Sequence, residues 1–129
     1  MSTFRIVLDT NILVSALLSP LGNPAKVYRM FLTGTVTLIY SANIFAEYQD
    51  VLHRTRLGIP ANDADIVLAA IRHYGEQIEP KPSDIPMTDE DDRVFYDTAK
   101  NAGAYLITGN MKHYPKEPFI LTAMNFLEL

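Results

Sequence analysis

The feature that most constrains the fold is a short apolar run that ends in a carboxylate. Phe4–Leu8 is rich in apolar and β-branched residues, which predicts a strand buried on both faces. Asp9 follows directly, and residues 12–18 have the length and composition of a helix. In open α/β sheets, ligands bind at the carboxyl ends of the strands. Asp9 is therefore placed for chemistry, although Asp is also a favoured N-cap residue.

Length and composition indicate one domain. With 129 residues, 48% of them hydrophobic, the chain is long enough for one core and short for two. We therefore expect a single domain over residues 1–129. No apolar run approaches the roughly 20 residues that cross a bilayer, and the N-terminus lacks a signal-peptide pattern, so we expect a cytoplasmic protein without membrane contact. The chain has no cysteine, so any metal must bind oxygen or imidazole.

The rest of the chain alternates strand patterns with helix patterns, separated by turn residues. This alternation predicts an α/β domain with a mainly parallel sheet and helices on both faces. Three prolines interrupt residues 79–86, which therefore form a crossover loop. Further strands are predicted at 36–40, 104–107 and 119–121, and helices at about 24–33, 42–53, 63–76, 88–102 and 122–126. The predicted helix caps are Asn23, Ser41, Asn62, Thr88 and Thr122.

Helix periodicity separates two acidic residues from the other charges. In the third helix, Glu47 borders an apolar arc, whereas Asp50 points to solvent. In the fifth helix, Asp92 falls on the buried stripe that Phe95, Tyr96 and Ala99 define. Each acid has a structural explanation as well, because negative charge is favoured in a first helical turn and a Glu side chain can extend to the surface.

Three separate elements thus each contribute one acid that points inward or lies at the sheet edge: Asp9, Glu47 and Asp92. An isolated buried carboxylate is costly unless it is protonated, paired or bound to a metal. Converging carboxylates without cysteine suit Mg²⁺ or Mn²⁺. Such a site binds a phosphodiester through the metal and activates water, so the pattern predicts phosphoester hydrolysis. The mild net negative charge, −4, does not oppose this reading if the acids are gathered in a metal-binding pocket.

Four segments together resemble the PIN domain (PilT N-terminal-like) family, in particular the toxins of toxin–antitoxin pairs. They are residues 7–16, residues 44–52 around Glu47, residues 89–95 and residues 105–110. The first is fairly specific, the others are weak singly, and their order along nearly the whole chain is specific. The resemblance implies a Rossmann-like, three-layer α/β/α fold and a metal-dependent ribonuclease.

The resemblance also implies roles for individual residues. Asp9, Glu47 and Asp92 match the family's acidic ligands for Mg²⁺ or Mn²⁺. Thr10 and Asn11 match the polar pair that orients the first ligand and lines the site.

The main departure from the family lies near the end of the chain. Thr108 matches a supporting hydroxyl, but Asn110 occupies the position where the family commonly has a fourth aspartate. An amide offers a carbonyl oxygen without charge, so a second metal would bind more weakly or not at all. Asp89 and Asp91 are alternative ligands, although helix periodicity favours Asp92.

The histidines and basic residues have no motif-supported place in the site. We predict surface positions for the three histidines and metal activation of the attacking water without a histidine base. The histidines are His53, His73 and His113. The basic residues that could contact phosphates, each equally well explained as a surface residue, are Arg54, Arg56, Arg93, Lys100 and Lys112.

The resemblance further implies an RNA substrate, an antitoxin partner and often a homodimer. A competing reading is a catalytically weakened PIN-like module that binds RNA or protein, because of Asn110. A haloacid-dehalogenase-type phosphatase needs a second aspartate where this chain has Asn11. A response-regulator receiver needs a phosphoacceptor aspartate and a lysine after its later strands, and neither is present there. A nucleotide-binding Rossmann domain needs a glycine-rich loop after its first strand, which is also missing.

Overall fold

The computed structural model describes residues 4–129 and places the first strand in the middle of a parallel sheet. Five strands are hydrogen-bonded in the order β3-β2-β1-β4-β5, and every neighbouring pair is parallel. This confirms the predicted α/β class with a parallel central sheet. The strands are β1 Phe4–Leu8, β2 Val36–Tyr40, β3 Glu76–Gln77, β4 Tyr105–Ile107 and β5 Ile120–Leu121.

The central position of β1 explains its continuous apolar sequence. Ile6 pairs with Leu38 of β2 on one side and with Tyr105 of β4 on the other. Ile6, Val7 and Leu8 are fully buried, because helices cover a parallel sheet on its faces. The carboxyl end of β1 therefore lies beside that of β4, where Leu8 is in register with Ile107.

Six helices connect and cover the strands of the described chain. The fifth helix packs against β1, β2 and β4. None of the helices within residues 4–129 has the length and apolar character needed to cross a membrane. The helices are α1 Thr10–Leu18, α2 Asn23–Leu32, α3 Ala42–Leu52, α4 Ala61–Tyr74, α5 Arg93–Ala102 and α6 Ala123–Leu127.

The largest difference from the predicted elements lies at the end of α4. The helix ends at Tyr74 rather than near Glu76, and residues 76–77 form β3, which the sequence did not predict. Gly75 marks the change, because a Cβ there would lie 2.5 Å from the Ile71 carbonyl oxygen and 3.0 Å from the Tyr40 ring. Only glycine allows the chain to pass so close to β2.

The predicted caps of the second and fourth helices are also wrong. Gly22 and Pro60 occupy the N-cap positions of α2 and α4, and Asn23 and Asn62 lie inside the helices. Pro24 therefore lies at the second helical position and Pro60 just before the first turn, where the missing proline N–H costs no intrahelical hydrogen bond. By contrast, Ser41 and Thr122 cap α3 and α6 as predicted, through side chains that accept from the amides of Ile44 and Asn125.

The fifth helix begins later than predicted, after a short 3₁₀ turn at Glu90–Asp92. Asp89, and not Thr88, caps this turn by accepting a hydrogen bond from the Asp91 amide at 3.0 Å. The helix ends as predicted at Gly103, whose φ of 63° is left-handed.

Candidate functional site

Asp9 lies at the carboxyl end of the central strand and is held from the far end of the chain. Its amide donates to the Ile107 carbonyl at 3.0 Å, and the residue is only 7% exposed. The Thr108 hydroxyl and the Tyr114 phenol donate to the same carboxylate oxygen, Oδ2, at 2.9 and 3.0 Å. Although Asp9 occupies the N-cap position of α1, its side chain makes no capping hydrogen bond. Its carboxylate is therefore committed to the site and not to the helix.

Glu47, on α3, lies near the carboxyl-terminal end of β1, as Asp9 does. It is half-buried, between the buried residues Ile44 and Tyr48, while Asp50 is exposed, which confirms the predicted periodicity of this helix. The Thr10 hydroxyl, in the first turn of α1, donates to Oε2 of Glu47. Thr10 thus links the element that follows Asp9 to the second predicted acid.

Asp92 ends the 3₁₀ turn that precedes α5, and its side chain is 17% exposed. Its Oδ2 is buried without a hydrogen-bond partner. Burial first, and then the charges of Asp9, Asp89 and Glu47, raise the pKa of Asp92 to about 6, against the opposing effect of His113. Asp92 is therefore a carboxylate held in surroundings that disfavour its charge.

The other candidate residues have weaker connections to these acids. Asp91 is exposed, and Asp89 is exposed and used as the cap of its turn. Asn11 is also exposed, and no hydrogen bond joins it to the predicted acids within residues 4–129. The structure therefore brings Thr10 and Thr108 into contact with the acids, but not Asn11.

Two buried tyrosines have pKa values that burial and the nearby acids raise. Burial and the charges of Asp9 and Glu47 raise the pKa of Tyr48, whose hydroxyl donates to the Leu8 carbonyl at 2.5 Å. Burial and the charges of Asp9, Asp92 and Glu47 likewise raise the pKa of Tyr114. Both phenols are therefore protonated donors. Within residues 4–129, however, no three acidic or histidine side chains are grouped closely enough to hold a metal ion by themselves.

The family follows from a match that spans most of the chain. A family model described as the PIN domain matches residues 5–112. The chain belongs to the PIN domain family. This confirms the family resemblance that the sequence indicated.

A structural comparison agrees with this membership. This chain resembles a chain in the crystal structure of VapBC2 from Rickettsia felis bound to a DNA fragment from their promoter, with a TM-score of 0.62. The likeness covers 92% of this chain and 97% of that chain at 18% identity, so it shows a shared fold. A comparison with curated proteins gives no significant match.

The structure also places residues near the candidate acids that the sequence did not indicate. His113 was predicted to be a surface histidine, but its Nδ1 lies 3.4 Å from Oδ2 of Asp92, within reach of an ion pair when the imidazole is protonated. The side-chain amide nitrogen of Asn110, Nδ2, lies 3.1 Å from Nδ1 and 3.0 Å from Nε2 of His113. Position 110 therefore supports a histidine beside Asp92 instead of adding a fourth carboxylate. The short spacing from 110 to 113 was the only signal, and it matches no motif.

Tyr114 is the second residue that the sequence did not indicate. It is 6% exposed and follows the 3₁₀ turn Met111–His113. A single tyrosine in a short turn belongs to no periodic pattern, so only the folded chain shows that it meets Asp9.

Two of the five basic residues proposed for phosphate contact form ion pairs. Arg54 contacts Asp50 at 2.9 Å, and Arg93 contacts Glu90 at 2.7 Å. Lys112 is exposed on the turn between Asn110 and His113. Of these cations, it is the one that belongs to the segment contacting the acids.

Proposed function

We propose that this PIN domain is a metal-dependent endoribonuclease, with Asp9, Glu47 and Asp92 as the ligands of Mg²⁺ or Mn²⁺. PIN domains are generally nucleases, so membership supports phosphodiester hydrolysis. The observation that supports the metal most directly is the buried oxygen of Asp92, which has no hydrogen-bond partner and belongs to a carboxyl whose pKa is about 6.

A divalent cation relieves the electrostatic cost of this arrangement. A buried carboxylate without a donor is unfavourable as an anion, and a second carboxylate nearby adds repulsion. A proton or a cation compensates for both effects, and at neutral pH a divalent cation competes well with the proton. The acids of this site therefore favour a bound cation in the state that binds substrate.

The donor set fits a hard cation that keeps part of its water shell. The three candidate ligands are all carboxylates, and the chain has no thiolate. Mg²⁺ commonly binds one or two carboxylates, several waters and substrate phosphates instead of a closed protein cage. Within residues 4–129 the carboxylates do not form a group that could hold an ion by themselves, so in this proposal waters and a substrate phosphate complete the coordination shell. Because Asn110 adds no charge, we propose one well-held metal rather than two.

Two of the three acids are oriented by a neighbouring hydroxyl. Thr108 holds Asp9, and Thr10 holds Glu47, so both carboxylates keep a fixed orientation. Asp92 supplies the oxygen that lacks a partner. When bound, the metal would polarise the phosphodiester and lower the pKa of a bound water.

The substrate in this proposal is a flexible RNA strand. The acids lie at the sheet edge with Asp9 almost fully buried, so the scissile phosphate must bend inward. Single strands and loops bend in this way, whereas an RNA duplex presents a regular backbone. Lys112 is placed to contact a phosphate beside the site.

The biological role in the same proposal is that of a cytoplasmic toxin with an antitoxin partner. The support is the shared fold with a chain of VapBC2. Dimerisation of this nuclease is proposed by the same analogy. Co-expression with the product of a neighbouring gene, followed by purification, tests the partner directly.

Cleavage of structured RNAs by the purified protein, with Mn²⁺ or Mg²⁺, tests the enzymatic proposal. We expect cleavage by the parent, its loss with EDTA, and its loss in Asp9→Asn, Glu47→Gln and Asp92→Asn. Asp50→Asn and Asp91→Asn are matched controls, because these exposed acids lie on or next to the same helices. Cleavage by the triple variant at the parental rate would refute the site assignment.

A second candidate function is favoured by Asn110 and by the lack of a closed ligand group. It is a PIN-like module that binds RNA or protein without cutting. Under this alternative, the parent binds RNA in EDTA as well as in Mn²⁺ and shows no cleavage with either metal. Metal-dependent cleavage that disappears in Asp9→Asn would exclude it.

A further inference from the structure

The segment that follows β4 folds back on itself and touches Asp9 twice. Thr108 lies directly after Ile107, and Tyr114 lies beyond the 3₁₀ turn Met111–His113. Backbone bonds close this turn, from the His113 amide to the Asn110 carbonyl at 3.0 Å and from the Tyr114 amide to the Met111 carbonyl at 3.2 Å. The turn thus returns Tyr114 to the carboxylate that Thr108 already contacts.

Both contacts are made to one oxygen of the carboxylate. Thr108 and Tyr114 donate to Oδ2 of Asp9 at 2.9 and 3.0 Å, and none of the described residues donates a hydrogen bond to Oδ1. The orientation of the Thr108 hydroxyl is itself fixed, because its oxygen accepts a hydrogen bond from the backbone amide of Asn110 at 3.0 Å. Since Oδ1 makes no helix-capping bond either, one oxygen is held by the protein and the other is available.

We infer that Tyr114 is a positioning residue: its phenol, with the Thr108 hydroxyl, fixes Asp9 so that the free carboxylate oxygen meets a divalent cation. This inference rests on the proposed function, because it gives Asp9 a cation to bind. It goes further by assigning a role to a residue outside the acidic and polar positions of the family pattern.

The geometry separates this role from simple packing. Tyr114 is buried, so its ring alone contributes to the core, and a phenylalanine would supply the same contact. A phenol buried against a carboxylate adds a charge-assisted hydrogen bond, which is stronger than one between neutral groups. Two donors on one oxygen also restrict rotation of the carboxylate, which lowers the entropic cost of binding a ligand.

The test compares Mn²⁺ binding by the intact protein and by Tyr114→Phe, measured by calorimetry and by electron paramagnetic resonance without RNA. We expect the Mn²⁺ dissociation constant of Tyr114→Phe to rise about tenfold, the loss expected for one hydrogen bond to a charged group. Tyr96→Phe is the matched control. It also loses a tyrosine–carboxylate hydrogen bond, to Glu117 at 2.5 Å, but the pKa of Tyr96 is affected by none of the three candidate acids.

A second variant and a second readout make the result decisive. Thr108→Val removes the other donor, so we expect a similar weakening even if Tyr114→Phe fails to fold. In cleavage assays, Tyr114→Phe should need more Mn²⁺ for half-maximal activity and recover most of the parental rate at saturating Mn²⁺. A purely structural loss would lower the rate without moving the Mn²⁺ midpoint.

The outcomes distinguish this inference from the proposed function. Parental Mn²⁺ affinity in Tyr114→Phe, or in Thr108→Val if the first does not fold, would overturn the positioning role of the two hydroxyls and leave the nuclease proposal intact. If the parent bound no Mn²⁺, the proposed metal site would be refuted and the positioning role with it. Equal weakening in Tyr96→Phe would show a general effect of lost hydrogen bonds and would also overturn the inference.

Discussion

Asp9 and Asp92 are two candidate ligands in opposite surroundings. Asp9 is the more buried, at 7% exposure, yet two hydroxyls donate to it. Asp92 is less buried, but one of its oxygens has no donor, and its pKa is raised to about 6. Burial alone does not set the cost of a carboxylate. Hydrogen-bond donors to its oxygens determine whether the surrounding protein stabilises or destabilises the ionised form.

This contrast gives Asp9 and Asp92 different roles in the proposed metal site. Asp9 is prearranged, so it orients a cation at little entropic cost. Asp92 is held in an unfavourable state that a cation relieves. His113 gives only partial compensation, since it lies 3.4 Å away without forming a hydrogen bond.

The largest expected effect is on cleavage, where both acids should prove necessary. Asp9→Asn and Asp92→Asn should each lower the metal-dependent cleavage rate by about a hundredfold or more, because each removes a charged metal ligand. Initial rates on a labelled RNA measure this effect, with Asp91→Asn as the control. A loss in only one of the two variants would show that the acids do not serve a common ion.

The next effect is stabilisation by metal. At an Mn²⁺ concentration about a hundredfold above the dissociation constant, the unfolding free energy of the parent should rise by about 2.7 kcal/mol. Thermal denaturation with Mn²⁺ or EDTA measures this. Most of the gain should disappear in Asp92→Asn, and an undiminished gain in that variant would place the ion elsewhere.

Without metal, the two acids should differ in the sign of their effect on stability. Asp92→Asn should raise the unfolding free energy at neutral pH by about 1–2 kcal/mol, after allowance for partial solvent screening. Asp9→Asn should lower it by about 1 kcal/mol, because two charge-assisted hydrogen bonds are weakened. Urea denaturation in EDTA measures both values. Equal effects in the two variants would remove the distinction between a supported and an opposed carboxylate.

The pH dependence of stability sharpens the same contrast. The folded pKa of Asp92, about 6, lies above the ordinary value of 3.8, so the folded protein holds a proton that the unfolded chain releases. The contribution of this group to stability is complete below about 3.8 and is lost as the pH rises through about 6. In EDTA, the parent should therefore lose stability relative to Asp92→Asn between about pH 4 and pH 7. Parallel pH profiles of the two proteins would contradict this.

The smallest effect concerns the position without a fourth acid. Asn110→Asp adds a negative charge beside His113, so it should tighten Mn²⁺ binding by about threefold. Calorimetry measures the change, and Asp50→Asn controls for net charge on a distant surface. Weaker binding in Asn110→Asp would indicate that the contact between Asn110 and His113 matters more than added charge.

Much of the fold follows from local patterns in the sequence. The apolar run of β1, the periodicity of α3 and the caps at Ser41 and Thr122 each depend on nearby residues, so they could be predicted. The strand at Glu76–Gln77 could not, because two exposed polar residues pair there only through the close approach of Gly75 to β2. In α4, Ile66 and Tyr74 fit the helical spacing but are 60% and 67% exposed, since the packed stripe is shifted to Ala64 and Leu68.

In the candidate site, too, local patterns predict some residues, but tertiary contacts place others. The end of β1 places Asp9, and the periodicity of α3 places Glu47 beside the buried face of that helix. Asp92 lies in the 3₁₀ turn before α5 and not on the buried stripe of the helix, where it was predicted. Tyr114 and His113 reach the acids through a turn of irregular structure, so no spacing rule locates them. Asp97 was also not predicted: it is 3% exposed on α5 and accepts from the Ser83 amide at 3.0 Å. Its partner lies in the proline-rich loop, whose path the sequence does not specify.

Anomalous diffraction from a crystal soaked in Mn²⁺ tests the central claim most directly, because it locates the ion without reference to activity. We predict one strong anomalous peak at the carboxyl ends of β1 and β4, in contact with carboxylate oxygens of both Asp9 and Asp92. If a crystal saturated with Mn²⁺ shows no peak there, or shows a peak that contacts neither acid, the claim that these two carboxylates form one metal site is contradicted.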